Sequence, residues 1–249
     1  MTPMTERTPS GGREAFATTR WSVVLLAGRN DTERARAALG KLCQTYWYPL
    51  YAYARRHAGS PDDAQDFTQA FFEQLLERQV LAKANPARGR FRAFLLVMMK
   101  NFMAGQRERA RAQKRGGGIE VFSLDLDAAE RRYAAEPADV ASPDKLFDRQ
   151  WAVALLGEVL RQLEAEHGED GKGEIFAVLK ETLAGSRESQ PYAELATRLG
   201  WSEGAVKVAV HRLRKRYREL LQAEIAQTVA SPEEAEEEMR HLFASLAGR

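Results

Sequence analysis

Apolar residues in this chain recur every third or fourth position and hardly anywhere in alternation. Phe147, Trp151, Leu155 and Val159 fall four apart, with Leu156, Leu160 and Leu163 beside them. That spacing makes one face of an α-helix. Alternating runs of Val, Ile, Thr and Tyr are scarce, and no Asn-Gly hairpin dipeptide occurs. A chain patterned this way can bury its apolar side chains only as helices packed on helices, so the expected fold is all-α. Three helix starts are legible in Ser60-Pro61-Asp62-Asp63, Ser142-Pro143-Asp144 and Ser231-Pro232-Glu233-Glu234. Each puts a Ser at the N-cap, a Pro in the first helical position and acids where the helix dipole favours them.

These signals divide the 249 residues into two small helical domains. Residues 1–18 read as a flexible arm. Residues 19–115 form a first block, with helices expected near 19–29, 32–58, 61–78 and 88–113. Gly116-Gly117-Gly118 then breaks the pattern, and 116–141 reads as a flexible linker in which "VFSLD" (121–125) could pack locally. A second block spans 142–222, with a break at His167–Gly173. The extension 223–249 predicts a short helix with Met239, Leu242, Phe243 and Leu246 on its apolar side. The sequence leaves open whether that helix caps the second domain, shields its basic face or takes a regulator.

Charge distribution carries more than its sum, which is only +2. Residues 100–115 and 203–218 each hold six Lys or Arg against one Glu, whereas 223–249 holds six Glu and two Arg. Two separated basic patches point to a polyanionic partner touched in two places. Cys43 is the only cysteine, so no internal disulfide forms, and no Cys/His cluster has the spacing of a metal site. No cofactor is expected. The first residues contain no apolar stretch of signal-peptide length. The longest apolar run, FLLVMM at 94–99, is far short of the ~20 residues a membrane span needs. A cytoplasmic protein without membrane contact is the expectation.

"YAELATRLGWSEGAVKVAVHRLRKRYREL" (192–220) is the most informative stretch. Leu195, Ala196 and Leu199 make the inner face of a short helix, and Gly200 permits the left-handed turn that ends it. Trp201 seals the corner and Ser202 caps the next helix. There Val206, Val210, Leu213, Tyr217 and Leu220 form a buried stripe, and the other face is basic. Close crossing at small residues is the helix-turn-helix rhythm, whose second helix offers its N-terminal residues to base edges in the major groove. Ser202, Glu203, Lys207, Val208, His211 and Arg212 are thereby nominated for base reading. Arg214, Lys215, Arg216 and Arg218 would hold phosphates. A solvated amphipathic hairpin is the bland alternative, and the turn chemistry with one-sided basicity argues against it.

The first block asks for more than a hairpin. In "DDAQDFTQAFFEQLLE" (62–77), Asp62, Asp63 and Asp66 precede Phe67, Phe71, Phe72, Leu75 and Leu76, which read as core. In 91–115, Phe91, Phe94, Asn101 and Phe102 precede a run of cations that begins at Lys100 and continues through Arg107, Arg109 and Arg111. Flat rings, an amide and a cationic track suit an unstacked single strand.

In this order the features resemble the bacterial extracytoplasmic-function sigma factors, small two-domain promoter-specificity subunits of RNA polymerase. The likeness runs from about Thr19 to Gln222. "YPLYAYARRHAGSPDDAQDFTQAFF" looks like the family's acidic "DAxDxxQ" helix, with Asp63, Asp66 and Gln69 at the positions that contact the polymerase β′ clamp. "FRAFLLVMMKN" looks like the helix that melts the minus-ten element, with Phe94 where the family usually has Trp and Asn101 where it has Asn. "PYAELATRLGWSEGAVKVAVHRLRKRYREL" is close to the family's pattern for the upstream minus-thirty-five element. The resemblance implies a region 2 bundle and a region 4 helix-turn-helix joined by the linker. It also implies core polymerase (β′ clamp and β subunit) and promoter DNA as partners, and no catalysis of its own.

Gln65 and Ala70 stand where the family often has Glu, and Gly105 where it often has Asp, which loosens the helix by about 1 kcal/mol relative to Ala. A phosphate on Thr68, in the middle of this charge-depleted helix, would restore roughly −1.5 to −2 charges. Thr68 is therefore a candidate phosphosite, with a serine/threonine kinase or an anti-sigma factor as candidate regulator. Two rivals remain at this stage. One is a stand-alone helix-turn-helix regulator. The other is a metal-dependent nuclease built on Asp62, Asp63 and Asp66, for which no partner carboxylates recur at matching spacing.

Overall fold

A computed structural model describes residues 33–76, 90–112, 126–136, 142–183 and 191–247. Within these the side chains of 33–39, 41–42, 76 and 107–112 are left aside. The expected arm at 1–18, the helix at 19–29 and "VFSLD" lie outside the described residues.

The described residues are helical throughout, with no strand among them. The helices are α1 (Glu33–Arg55), α2 (Pro61–Leu76), α3 (Phe91–Ala112), α4 (Leu126–Ala134), α5 (Pro143–Glu169), α6 (Gly173–Leu179), α7 (Tyr192–Leu199), α8 (Glu203–Ala226) and α9 (Pro232–Leu246). A 3-10 turn, Lys180–Leu183, extends α6. The three Ser-Pro starts fold as read. Ser60 Oγ accepts from Asp63 N at 3.1 Å, Ser142 Oγ from Lys145 N at 3.2 Å and Ser231 Oγ from Glu234 N at 3.3 Å. Each cap satisfies an N–H that the helix itself cannot.

The chain forms two compact units, residues 1–154 with 225–249, and residues 155–224. In the first, α1 packs on α2, and α2 on α3 and α4. Phe91, Leu95, Met99 and Met103 of α3 fall every fourth residue, and each is buried. Leu50, Tyr51 and Ala54 of α1 and Phe71, Phe72 and Leu75 of α2 are buried in the same unit, whose core is rich in rings. Phe71 meets Phe102 edge-on at 5.9 Å, Tyr46 meets Phe91 edge-on at 5.6 Å, and Trp47 stacks on Tyr51 at 5.1 Å. Such pairs add about 0.5–1.5 kcal/mol each beyond area burial.

One part of the first unit differs from the sequence expectation and another completes it. The segment read as a linker, 116–141, contains α4. Its fastening is polar: Tyr51 Oη donates to Glu130 Oε1 at 2.5 Å, and Arg55 Nε donates to the same oxygen at 3.1 Å. The Arg132 guanidinium lies 3.7 Å over the Tyr48 ring and donates to Gln150 Oε1 at 2.7 Å. Ala129 is the one buried residue of α4, so there is no apolar stripe to reveal it. The second concerns 223–249, whose placement the sequence left open: residues from Ile225 onward belong with the first unit. Ile225, Val229 and Leu242 are buried, and Phe91 N donates to Thr228 O at 3.1 Å.

In the second unit, Leu155, Val159 and Leu163 of α5 provide buried apolar positions, as do Phe176 and Leu179 of α6. So do Leu195 and Ala196 of α7 and Val206, Val210, Leu213, Leu220 and Leu221 of α8. Tyr217 Oη donates to Leu156 O at 3.2 Å, and burial pushes that phenol up to about 12.

Candidate nucleic-acid interface

The helix-turn-helix is built by α7 and α8. Gly200 ends α7 with φ 67° and ψ 28°, its N–H turned back to Ala196 O and Thr197 O. Nothing lies within 4 Å of where its Cβ would be, so the positive φ alone favours glycine there. Trp201 N donates to Ala196 O at 3.0 Å, and the residue is 37% exposed. Ser202 Oγ accepts from Ala205 N at 3.2 Å and so caps α8.

Of the residues nominated on this helix, Ser202, Glu203, Lys207, Val208, His211 and Arg212 are all exposed, on the side away from Val206, Val210 and Leu213. Val208 shows 51% of its surface, an apolar side chain left in solvent among polar ones. Two of the phosphate candidates are committed elsewhere within the unit. Arg214 donates to Thr182 O through Nε at 3.2 Å and Nη2 at 2.7 Å. Arg216 grips Glu166 in a two-pronged pair, with Nε to Oε2 at 2.9 Å and Nη2 to Oε1 at 2.6 Å. The Glu166 hydrogen bond holds the Arg216 charge and raises its pKa. Both guanidinium forks thus rest on a carbonyl or a carboxylate of the same unit, while the two side chains stay exposed. Lys215 is exposed, 4.0 Å from Glu219.

In the first unit, Asp63 and Asp66 sit exposed on the first turns of α2, and Gln69 is half-buried one turn on. Asp63 accepts from Ser60 Oγ at 2.8 Å. Among the described residues, no group of three His, Cys, Asp or Glu side chains could hold a metal ion. Thr68 contradicts its nomination. It is 0% exposed and its Oγ1 donates to Ala64 O at 2.7 Å, so no kinase can reach it in the folded chain. It falls on the face of α2 that carries Ala64, Phe71, Phe72 and Leu75 into the core, a placement the Gln65 and Ala70 departures could not reveal.

On α3, Asn101 is exposed and Phe94 half-buried, while Phe91 is only 2% exposed and belongs to the core rather than to any stacking surface. Lys100 donates to Asp144 Oδ2 at 2.6 Å, a bond that raises its pKa. The side chains of Arg107, Arg109 and Arg111 lie outside the described ones.

One group that sequence reasoning missed is Arg92. Burial opposes its charge, but the hydrogen bonds and charge of Glu238, then the charge of Asp148, outweigh it and raise its pKa. Arg92 Nε and Nη2 donate to Glu238 Oε1 and Oε2 at 2.9 and 3.2 Å, Nη1 donates to Asp148, and the guanidinium lies 4.9 Å over the Trp151 ring. An Arg beside a core Phe was the only signal, and it is a weak one.

No helix among the described residues is long and apolar enough to cross a membrane. No curated protein and no solved structure matches the chain. Residues 42–113, the stretch that runs from α1 through α2 and α3, match the family described as Sigma-70 region 2.

Proposed function

We propose that this chain is an RNA polymerase sigma factor of the extracytoplasmic-function type, which brings core polymerase to particular promoters and starts transcription there. The Sigma-70 region 2 match over 42–113 is the observation that carries the reading. The exposed Asp63 and Asp66 support it as a polymerase handle, with Gln69 beside them. Asn101 and Phe94 on α3 are suited to an unstacked minus-ten base, followed by the arginines at 107, 109 and 111 as a backbone track. The exposed row from Ser202 to Arg212 on α8 suits an upstream duplex element, with Lys215 and Arg218 outside it for phosphates. As a sigma factor it performs no chemistry, and its site of action is the cytoplasm. Control by an anti-sigma factor remains part of this reading.

The test is co-purification of the full chain with core RNA polymerase, followed by transcription in vitro from a library of random promoters. Association with defined start sites is expected. DNA selection by the chain alone, with no polymerase association, would instead favour a stand-alone helix-turn-helix regulator.

A further inference from the structure

The three cations between residues 90 and 100 of α3 and its approach are all held by carboxylates of the same unit. Arg90 pairs with Glu237 and, through Nη1 at 3.2 Å, with Glu238. Arg92 is clamped by Glu238 and Asp148, and Lys100 by Asp144. His241 Nε2 lies 3.0 Å from Asp148 Oδ2 and extends the same cluster. Two of these carboxylates come from α9, in a run that holds Glu233, Glu234, Glu236, Glu237 and Glu238.

The way α9 is held matters as much as where. Its buried positions are Glu238 and Leu242, while Phe243 is 55% exposed and Met239 and Leu246 are half-buried. A helix fixed by little apolar area is held chiefly by its ion pairs. A buried ion pair adds little net stability, because attraction mostly offsets desolvation, and both partners regain water if the helix departs. Salt and a competing polyanion reach the Arg90–Glu237 pair, whose side chains are 25% and 54% exposed, whereas the buried Arg92–Glu238 pair is screened much less.

We propose that α9 is a latch: its carboxylates occupy Arg90 and Arg92 and so mask the start of α3 from nucleic acid until phosphates displace them. The inference rests on the reading of α3 as the helix that meets the opened strand. It assigns to 231–247 an intramolecular, autoinhibitory contact on the first unit.

The experiment measures binding of a fluorescein-labelled, mixed-sequence single-stranded DNA by anisotropy at low salt. It compares the full chain, the chain ending after Ala230, Glu237→Gln/Glu238→Gln and Glu233→Gln/Glu236→Gln. Both double variants remove two negative charges, but Glu233 and Glu236 lie on the exposed side of α9. The truncated chain and the 237/238 variant are expected to bind about fivefold more tightly, with the 233/236 variant unchanged. A synthetic 231–249 peptide added to the truncated chain restores the weaker binding. Equal gains in both double variants would reduce the effect to bulk charge and overturn the latch, as would no gain in either. Where circular dichroism shows the 237/238 variant unfolded, Glu237→Gln alone decides, since that side chain is 54% exposed: tighter binding supports the latch and unchanged binding overturns it. Failure of every variant to associate with core polymerase overturns the sigma-factor reading. Association of all variants with equal DNA affinity overturns the latch alone.

Discussion

Arg216 on α8 and Glu166 on α5 face each other with two of the three guanidinium nitrogens, Nε and Nη2, on the two carboxylate oxygens, at 2.9 and 2.6 Å. Arg212, one turn earlier on α8, is exposed. Two arginines that look equivalent in the sequence thus have different duties. Arg212→Ala is expected to weaken binding of an upstream duplex by ~1–3 kcal/mol and to relax base choice there. Arg216→Ala is expected to lower stability by up to about 1 kcal/mol, the range of exposed pairs, and to leave base choice intact. Fluorescence anisotropy on a panel of duplexes, beside thermal melting, separates them. Uniform loss across all duplexes for Arg212→Ala would make it a phosphate contact.

The same pair has a pH signature. The Arg216 hydrogen bond holds the Glu166 pKa below its ordinary value of 4.5. A carboxylate whose folded pKa is depressed contributes stability that is present above the unfolded pKa and lost as pH falls through the folded one. The second unit therefore loses this contribution only on acidification below about 4.5. Because Glu166 is 39% exposed, solvent screening keeps it under roughly 1 kcal/mol. Thermal melting at neutral and acid pH should show a smaller acid loss in Glu166→Gln than in the parent chain.

Thr68 makes the sharpest mutational contrast. Thr68→Glu puts a carboxylate into a fully buried position and should lower stability by 2 kcal/mol or more, about the penalty for a desolvated polar group or worse. Thr68→Ala loses only a hydroxyl bonded to its own helix and should change stability by about 1 kcal/mol or less. Urea denaturation of both variants checks the ranking.

Cys43 is 3% exposed, and burial pushes its thiol up to about 12. The thiolate is the reacting form, so the native chain at pH 8 should resist iodoacetamide while the urea-unfolded chain reacts promptly. Intact mass before and after denaturation is the readout, and rapid native labelling would show that α1 opens.

Gly200→Ala should reduce stability by about 1 kcal/mol through backbone strain alone, since no neighbour obstructs the new methyl. DNA affinity at low temperature should survive, because Ser202 to Arg212 keep their places.

What the sequence made legible follows physical strength of signal. The Ser-Pro-acid starts, the four-residue spacing from Phe91 to Met103 and the Gly200 turn are local and repeat, so α2, α3, α5, α7, α8 and α9 could be anticipated within a few residues. The α4 helix could not, because Glu130 and Arg132 bind residues as far as 79 positions away, and such polar links leave no period. Thr68 was misjudged although the signal was there: it precedes the core residues Phe71, Phe72 and Leu75 by three, four and seven positions, the spacing of one helix face. Arg214 and Arg216 share the limit of α4, since their partners, Thr182 and Glu166, come from other elements.

Because the first unit takes its last pieces from residues after 224, its sequence is split by the whole of the second. A ribosome that has delivered only the earlier portion presents Arg92 without Glu238, and Phe91 N without the Thr228 carbonyl. The unit at the front of the chain is thus the last to be completed during synthesis.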